Sequence, residues 1–335
     1  MSDALGENDN IKEIILTVSN PDVVPGKLRN RKKISIKRIS LAFLPSEKAL
    51  SDLCKTGISL FISPYPKLPV FGSQCKSVHI IHDVLDLTHP LYRKRFKVLF
   101  DGWRLKRALR RADLTWYDSL WSLDETKKYA GFIGNNPKVR YPGISERFNI
   151  KRDKSQSEVL SKYRLQSGYV LVIGNGLPHK NLGIILKIAN QLSRKIVFAG
   201  VPQTNQAYWH KIYPGHEATW ISHVTDNDLP SLIRSAFCLA QPSTAEGYGY
   251  PPLEAMACGI PAIVSNIPVL KETTGLNALT ADPSRPNAWE EAIEALGKND
   301  IYENQREKGL QWVKQLRGRK GWQKHIEDIE ELLSY

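Results

Sequence analysis

The chain has 335 residues, 41 % hydrophobic and 24 % charged, which fits two globular domains and excludes a disordered polypeptide. Its apolar runs fall short of the roughly 20 residues a membrane span needs; the polar start MSDALGENDN differs from a secretory leader, and four scattered cysteines without CxxC spacing argue against a zinc or disulfide framework, so reduced thiols and a cytoplasmic location are expected. The net charge of +13 is concentrated in residues 1–150 (26 Lys and Arg against 15 Asp and Glu), leaving +2 for the remainder, so the first half is expected to meet an acidic partner such as nucleic acid, an anionic membrane surface or a phosphorylated acceptor.

In chain order, residues 12–19, 34–43, 58–63, 77–84 and 113–119 are short β-branched runs and predict strands. Residues 46–56 and 91–112 have helical patterns between them. Such alternation predicts a parallel sheet with helices on both faces. Tyr141-Pro142-Gly143 closes this half as a turn, and residues 150–167 form a polar connector. A second series follows, with strands over 169–175, 195–200, 219–224, 237–243 and 261–266. Helices are predicted over 180–193, 227–236 (capped by Asp226 or Asn227) and 251–258. The expected class is α/β, two Rossmann-like doubly wound domains facing a cleft: residues 1–150, residues 151–310, and 311–335 as a terminal helix packing back on the first domain. Ligands in such sheets bind outside the carboxyl ends of the strands.

The most informative stretch is AQPSTAEGYGYPPLEAMACGIPAIVSN, residues 240–266. Glu246 and Glu254 are eight residues apart, with Gly247, Tyr248, Gly249, Tyr250, Pro251 and Pro252 between them. The glycines let backbone approach a ligand, and the prolines suit a helix's first turn. That helix start would aim N–H groups and a positive dipole end at an anion. Two carboxylates around one site suit a hydroxyl-rich ligand, because each accepts several O–H donors. The second signal is GNGLPHKN, residues 174–181, between a buried strand and a helix, with Lys180 able to meet a diphosphate as a point charge. His179 is expected to be its surface neighbour. No DxD-like pair stands at a strand end, so no metal and no further cofactor are expected.

EGYGYPPLEAMACGIPAIVS resembles the E-x7-E signature of the family-four retaining glycosyltransferases (glycosyl transferases group 1), which have the GT-B fold. GNGLPHKN, YPGISERF (141–148) and VHIIHDVLDLTHP (78–90) are similar to that family's donor-phosphate loop, the end of its first domain and an acceptor-domain strand. The resemblance implies a retaining hexosyltransferase that uses GDP-mannose or a UDP-hexose, with a saccharide or lipid-linked acceptor, in polysaccharide biosynthesis, residues 1–150 binding the acceptor and 151–310 the nucleotide sugar. It implies that Glu254 binds the donor ribose and Glu246 hydrogen-bonds the donor sugar. Backbone around Tyr248, Gly249 and Tyr250 would hold sugar and diphosphate, and Lys180 would neutralise the leaving diphosphate. Gly174, Asn175, Gly176, Gly247, Pro251 and Leu253 complete the implied donor site. The family usually pairs its lysine with an arginine just upstream; Asn175 and Gly176 occupy that region here. The family also opens with a strand and a glycine-rich loop. IKEIILTVSN is similar to the second strand of that pattern, so either the chain is N-terminally shortened or Asn20-Pro21 and the following loop take that role.

In the first half, His82 and Asp83 end a buried strand; the resemblance implies that His82 contacts the donor sugar or the incoming hydroxyl, and the alternative is a strand-end cap. Residues 92–113 predict a basic amphipathic helix, or a helical pair bent at Gly102. Phe96, Leu99, Phe100 and Trp103 form an apolar stripe beside Arg93, Lys97, Arg104, Arg107 and Arg111. That pattern suits peripheral attachment to an anionic membrane surface; the alternative is a core-facing stripe with a solvated basic face. Among the acidic partners that charge alone leaves open, the resemblance sets nucleic acid aside, so no nucleic-acid partner is expected. Two other functions remain open at this stage: a nucleotide-sugar epimerase, or a catalytically degraded GT-B binding subunit.

Overall fold

The structure, a computed structural model, describes all of the chain except residues 2–4, 25, 66–67, 91–94, 152–154 and 335. It divides into two compact units. One comprises Met1–Asp118, Ser122–Gly143 and Gly318–Tyr335; the other comprises Ser119–Trp121 and Ile144–Arg317.

In the first unit β1 (Ile14–Val18) pairs in parallel with β2 (Ile34–Arg38) as a two-stranded ribbon. Asn20 Oδ1 accepts the Asp22 N–H (3.0 Å) and caps a short 3-10 turn after β1. β3 (Leu60–Ser63), β4 (Lys76–Ile81), β5 (Leu114–Tyr117) and β6 (Pro137–Val139) form a second parallel sheet in chain order. Its central strands are buried on both faces, so their apolar residues split by alternation. Val78, Ile80, Leu114 and Trp116 pack with Ile326 and Ile329 of the C-terminal helix Gly318–Leu333. Ile81 and Tyr117 pack with Leu105 and Leu109 of the helix Arg95–Arg111. Buried His79 on β4 is held neutral, its pKa lowered to about 3 by burial.

The strand expected over 34–43 stops at Arg38, and a helix, Phe43–Cys54, begins where its end was expected. Ser40 Oγ accepts the Ala42 N–H (3.0 Å), which turns the chain, and Pro45 sits in the helix's first turn, where a missing N–H is harmless. Of the two readings of residues 92–113, the single helix is the one observed: Arg95–Arg111 is continuous through Gly102. Gly102 makes room for the Tyr129 hydroxyl, which a Cβ there would strike.

The second unit is a six-stranded parallel sheet in the order β12-β11-β10-β7-β8-β9. The strands are β7 (Tyr169–Ile173), β8 (Ile196–Ala199), β9 (Ala218–Ile221), β10 (Ala236–Gln241), β11 (Ala262–Ser265) and β12 (Leu279–Ala281). Strand order reverses between β7 and β10, where Leu171 lies opposite Leu239. A doubly wound sheet opens its ligand crevice at such a switch point. Val170, Val172, Ile196, Phe198 and Ile263 fill the core with Leu182, Ile185 and Trp289. The helix expected over 180–193 shrinks to Leu182–Leu186, followed by turns.

Candidate functional site

Both sequence signals arrive at the β7/β10 switch point. The loop after β7 is fixed by its own small residues. Gly176 has a left-handed backbone (φ 72°), and a Cβ there would lie 2.7 Å from Val201 Cγ1. Its carbonyl accepts the Trp209 indole N–H (3.0 Å), and the carbonyl of Asn175 accepts Asn205 Nδ2 (2.7 Å). The Lys180 stem runs beside Gly174 over the strand end, 3.5 Å from where a Cβ would stand, an ordinary contact distance. Lys180 closes a 3-10 turn, Pro178–Lys180, and Asn181 follows in the left-handed region (φ 52°). Its side-chain amide donates to the carbonyls of Pro242 (3.1 Å) and Pro283 (2.8 Å), tying together the loops after β7, β10 and β12. His179, expected only as a surface neighbour, adds a backbone tie: its carbonyl accepts the Thr244 N–H (2.8 Å).

The loop after β10 carries Glu246. Lys180 Nζ lies 2.7 Å from Glu246 Oε1, and both side chains are largely buried, at 19 % and 10 % exposure. Gln241 Nε2 donates to the same oxygen (2.6 Å). The sequence offered the lysine and the glutamate as separate ligands of one donor; the structure joins them as an ion pair. Ser119 Oγ, in the short stretch belonging to this unit, donates to the Gly247 carbonyl (2.8 Å). Tyr248 is buried and meets the Tyr250 ring edge-on (centroids 5.1 Å apart). Gly249 (φ 92°) is the N-cap of the helix Tyr250–Ala257, and a Cβ there would press on Leu270. Pro251 and Pro252 occupy the helix's first turn without N–H groups to lose. Leu253 is wholly buried, so its side chain belongs to the core and only its backbone could approach a ligand. Glu254 stands on this helix; burial pushes its carboxyl up to about 7, with the Arg147 charge pulling it down and Asp226 pushing it up.

In the first unit, His82 follows β4 and Asp118 follows β5. Ile81 pairs with Tyr117, so the register sets the two next to each other. His82 Nδ1 lies 2.6 Å from Asp118 Oδ2. The hydrogen bond that the His82 ring donates to the Asp118 carboxylate raises the imidazole pKa, opposed by burial. Sequence analysis missed Asp118, although strand register would have located it. Asp83, expected on the acceptor side, accepts the Leu85 N–H (2.9 Å) and begins the short helix Leu85–Thr88.

The basic helix requires a correction. Arg104 does not line a solvated face: it is buried, pairs with buried Glu47 (2.6 Å) and lies 4.9 Å from the Phe43 ring centroid. Glu47 also accepts the Val70 N–H (2.9 Å), so burial of this pair is compensated by hydrogen bonds. Arg107 is likewise engaged, donating to the carbonyls of Pro69 (3.2 Å) and Val70 (2.7 Å). Arg93 lies outside the described residues, as do the side chains of Phe96 and Lys97. Arg111 is exposed. The apolar stripe does not face the core. Leu99 is 68 %, Phe100 45 % and Trp103 49 % exposed, beside exposed Leu41, Phe43 and Leu44. The rings of Phe43 and Phe100 meet edge-on (5.5 Å), and Phe100 stacks with Trp103 (6.0 Å). Among the described residues no helix is long and apolar enough to cross a membrane, and all four cysteines are unbridged.

Residues 153–312 match the family model for glycosyl transferases group 1. The chain is 29 % identical over 224 residues to O-antigen chain mannosyltransferase B of Escherichia coli, covering 64 % of this chain and 59 % of that one. It is 29 % identical over 164 residues to O-antigen chain mannosyltransferase RfbU of Salmonella typhimurium, covering 45 % and 46 %. It thus spans between about half and three-fifths of the length of these relatives. The crystal structure of Anabaena Alr3699/HepE in complex with UDP-glucose superposes with a TM-score of 0.79 at 15 % identity, covering 98 % of this chain and 95 % of that one. With its strand order, switch-point loops and these likenesses, the chain has the GT-B fold, and its residues 153–312 are similar to the glycosyl transferases group 1.

Proposed function

We propose that this protein is a retaining glycosyltransferase. It moves a hexose from GDP-mannose or a UDP-hexose to a saccharide or lipid-linked acceptor in O-antigen-type polysaccharide assembly. The observation that carries this proposal is the Lys180–Glu246 pair at the β7/β10 switch point, beside the N-terminus of the helix Tyr250–Ala257. Cleaving the sugar–phosphate bond builds negative charge on the diphosphate and positive charge on the sugar. A fixed lysine and a helix N-terminus stabilise the first, and such preorganised charge is usually the largest catalytic contribution. In this scheme the lysine and helix do for the diphosphate what a divalent metal does in other transferases. Glu246 accepts sugar hydroxyls, Glu254 accepts the ribose hydroxyls, and His82, oriented by Asp118, hydrogen-bonds the incoming acceptor hydroxyl. The acceptor hydroxyl attacks from the face the diphosphate leaves, and its proton passes to an oxygen of the departing diphosphate. Incubation with GDP- and UDP-sugars and saccharide acceptors, with the anomeric configuration of the product read by NMR, tests this. An absence of transfer from every donor, or an inverted product, overturns it.

The Glu254 carboxyl makes donor binding pH-dependent. Ribose hydroxyls donate to a carboxylate and so favour its charged form. Because burial places this group at about 7 in the folded chain, binding below that pH releases a proton. Nucleoside diphosphate affinity therefore rises roughly tenfold per pH unit at most on the acid side and levels off above the pKa. Calorimetry across this range checks the slope, and Glu254→Gln, which cannot ionise, flattens it. Affinity that falls with rising pH would contradict the assignment of the ribose to Glu254.

The exposed Phe43, Phe100 and Trp103 cluster, in a unit rich in Lys and Arg, is assigned to an anionic membrane surface. Aromatic rings insert at the interface while basic side chains such as Arg110 and Arg111 meet phosphates. Phe100→Ala with Trp103→Ala should weaken binding to phosphatidylglycerol vesicles at least about tenfold. Vesicle co-sedimentation reads this, and undiminished binding would exclude the face.

A further inference from the structure

Gln241 ends β10 at 1 % exposure, after Leu239 and Ala240, which are wholly buried. An apolar side chain would fill this place without any polar group to satisfy. The amide instead leaves its Oε1 buried and without a hydrogen-bond partner among the described residues. Such an orphan is costly, so the amide is retained for something other than packing. Its Nε2 donates to Glu246 Oε1 (2.6 Å) and to buried Ser243 Oγ (2.9 Å). The opposite amide orientation would press a carbonyl oxygen on a carboxylate oxygen, so charge fixes which end faces Glu246.

We infer that Gln241 is a positioning residue that holds the Glu246 carboxylate in register for the donor sugar, an inference that rests on the donor-site proposal above. Lys180 and Gln241 both donate to Oε1, and no described residue donates to Oε2. The carboxylate is thereby fixed in rotation, with Oε2 available to sugar hydroxyls. Lys180 has a second duty: a diphosphate in the site competes for its ammonium. Gln241 has no such second duty, because at 1 % exposure it is closed off from solvent. Once Lys180 turns to the diphosphate, the Gln241 N–H keeps Glu246 aimed. The contribution therefore appears with a sugar on the nucleotide and vanishes with the nucleoside diphosphate alone.

The experiment uses the full chain carrying Gln241→Met, which keeps the volume and deletes the N–H, with Gln241→Leu as a second variant should methionine not fold. Calorimetry measures UDP and GDP against UDP-glucose and GDP-mannose, and steady-state kinetics measures transfer. We expect the nucleoside diphosphate Kd to stay within about twofold of wild type while kcat/KM for transfer falls about tenfold, the usual weight of a hydrogen bond to a charged group. In a Glu246→Gln background the same substitution changes nothing further, because the interaction it serves is gone. Unchanged kcat/KM, equal losses for nucleoside diphosphate and nucleotide sugar, or additive effects in the double variant overturn the inference. A wild-type chain that binds no nucleotide sugar overturns the donor-site proposal itself; an active wild type matched by Gln241→Met overturns only the role of Gln241.

Discussion

Replacing Lys180 by alanine lowers the transfer rate by about 10²- to 10³-fold, the usual cost of deleting one preorganised charge at a developing anion. Two losses combine in this variant. The leaving diphosphate no longer meets an ammonium group. Glu246, at 10 % exposure, is left with the Gln241 amide alone, so an uncompensated carboxylate faces an anionic donor. Donor affinity therefore falls together with kcat. Adding Glu246→Gln removes the second loss, so the double variant binds donor more tightly than Lys180→Ala, although its kcat stays low. This sub-additivity is the signature of a coupled pair. Lys180→Arg keeps the charge but not its reach, and recovers only part of the rate. Steady-state kinetics with donor titration decide the matter. A kcat within tenfold of wild type for Lys180→Ala would remove the lysine from the leaving-group role.

The largest effect on stability is expected at Asp328 of the C-terminal helix. Its carboxylate is buried and receives Arg140 Nε (2.7 Å) and Nη2 (2.9 Å), Lys138 Nζ (2.9 Å) and the Trp116 indole N–H (2.9 Å). Burial alone would raise its pKa, but the hydrogen bonds from Arg140, Lys138 and Trp116 outweigh this and hold it below the ordinary carboxylate range. Asp328→Ala leaves Arg140 without its carboxylate, Lys138 with Glu331 alone and a buried indole N–H unpaired, at a cost of about 3–5 kcal/mol. The second partner of Lys138, Glu331, is 61 % exposed and offsets little. Differential scanning calorimetry should show the melting midpoint lowered by roughly 10 °C. The sign with pH follows from the depressed pKa. The stabilisation is fully present above the unfolded carboxyl pKa and is lost as pH falls through the folded one. A variant melting within about two degrees of wild type would contradict this account.

The α/β class, the positions of most strands along the chain and the two loop motifs that meet at the switch point were legible in the amino-acid sequence because they depend on local pattern. Buried parallel strands are short apolar runs, and the E-x7-E stretch marks itself by glycine and proline placement. What failed locally did so for identifiable reasons. Pro45 and the Ser40 turn converted the end of an apparent strand into a helix start, and Pro137–Val139 is too short to register as a strand. Arg104 looked like surface charge because helical spacing cannot show that Glu47, 57 residues away, would be buried against it.

Lys180 and Glu246 could each be named from sequence as ligands of a diphosphate sugar. That they form one ion pair, with Gln241 on the same oxygen, was decided only when β7 and β10 became neighbours at the switch point. The Asp118 partner of His82 and the Asp328 cluster likewise depend on strand register and on a helix far along the chain. Sequence patterns report which face of each element is apolar, a property that acts over a few residues. Side-chain partners depend on which elements meet, and that is set by packing across the whole fold.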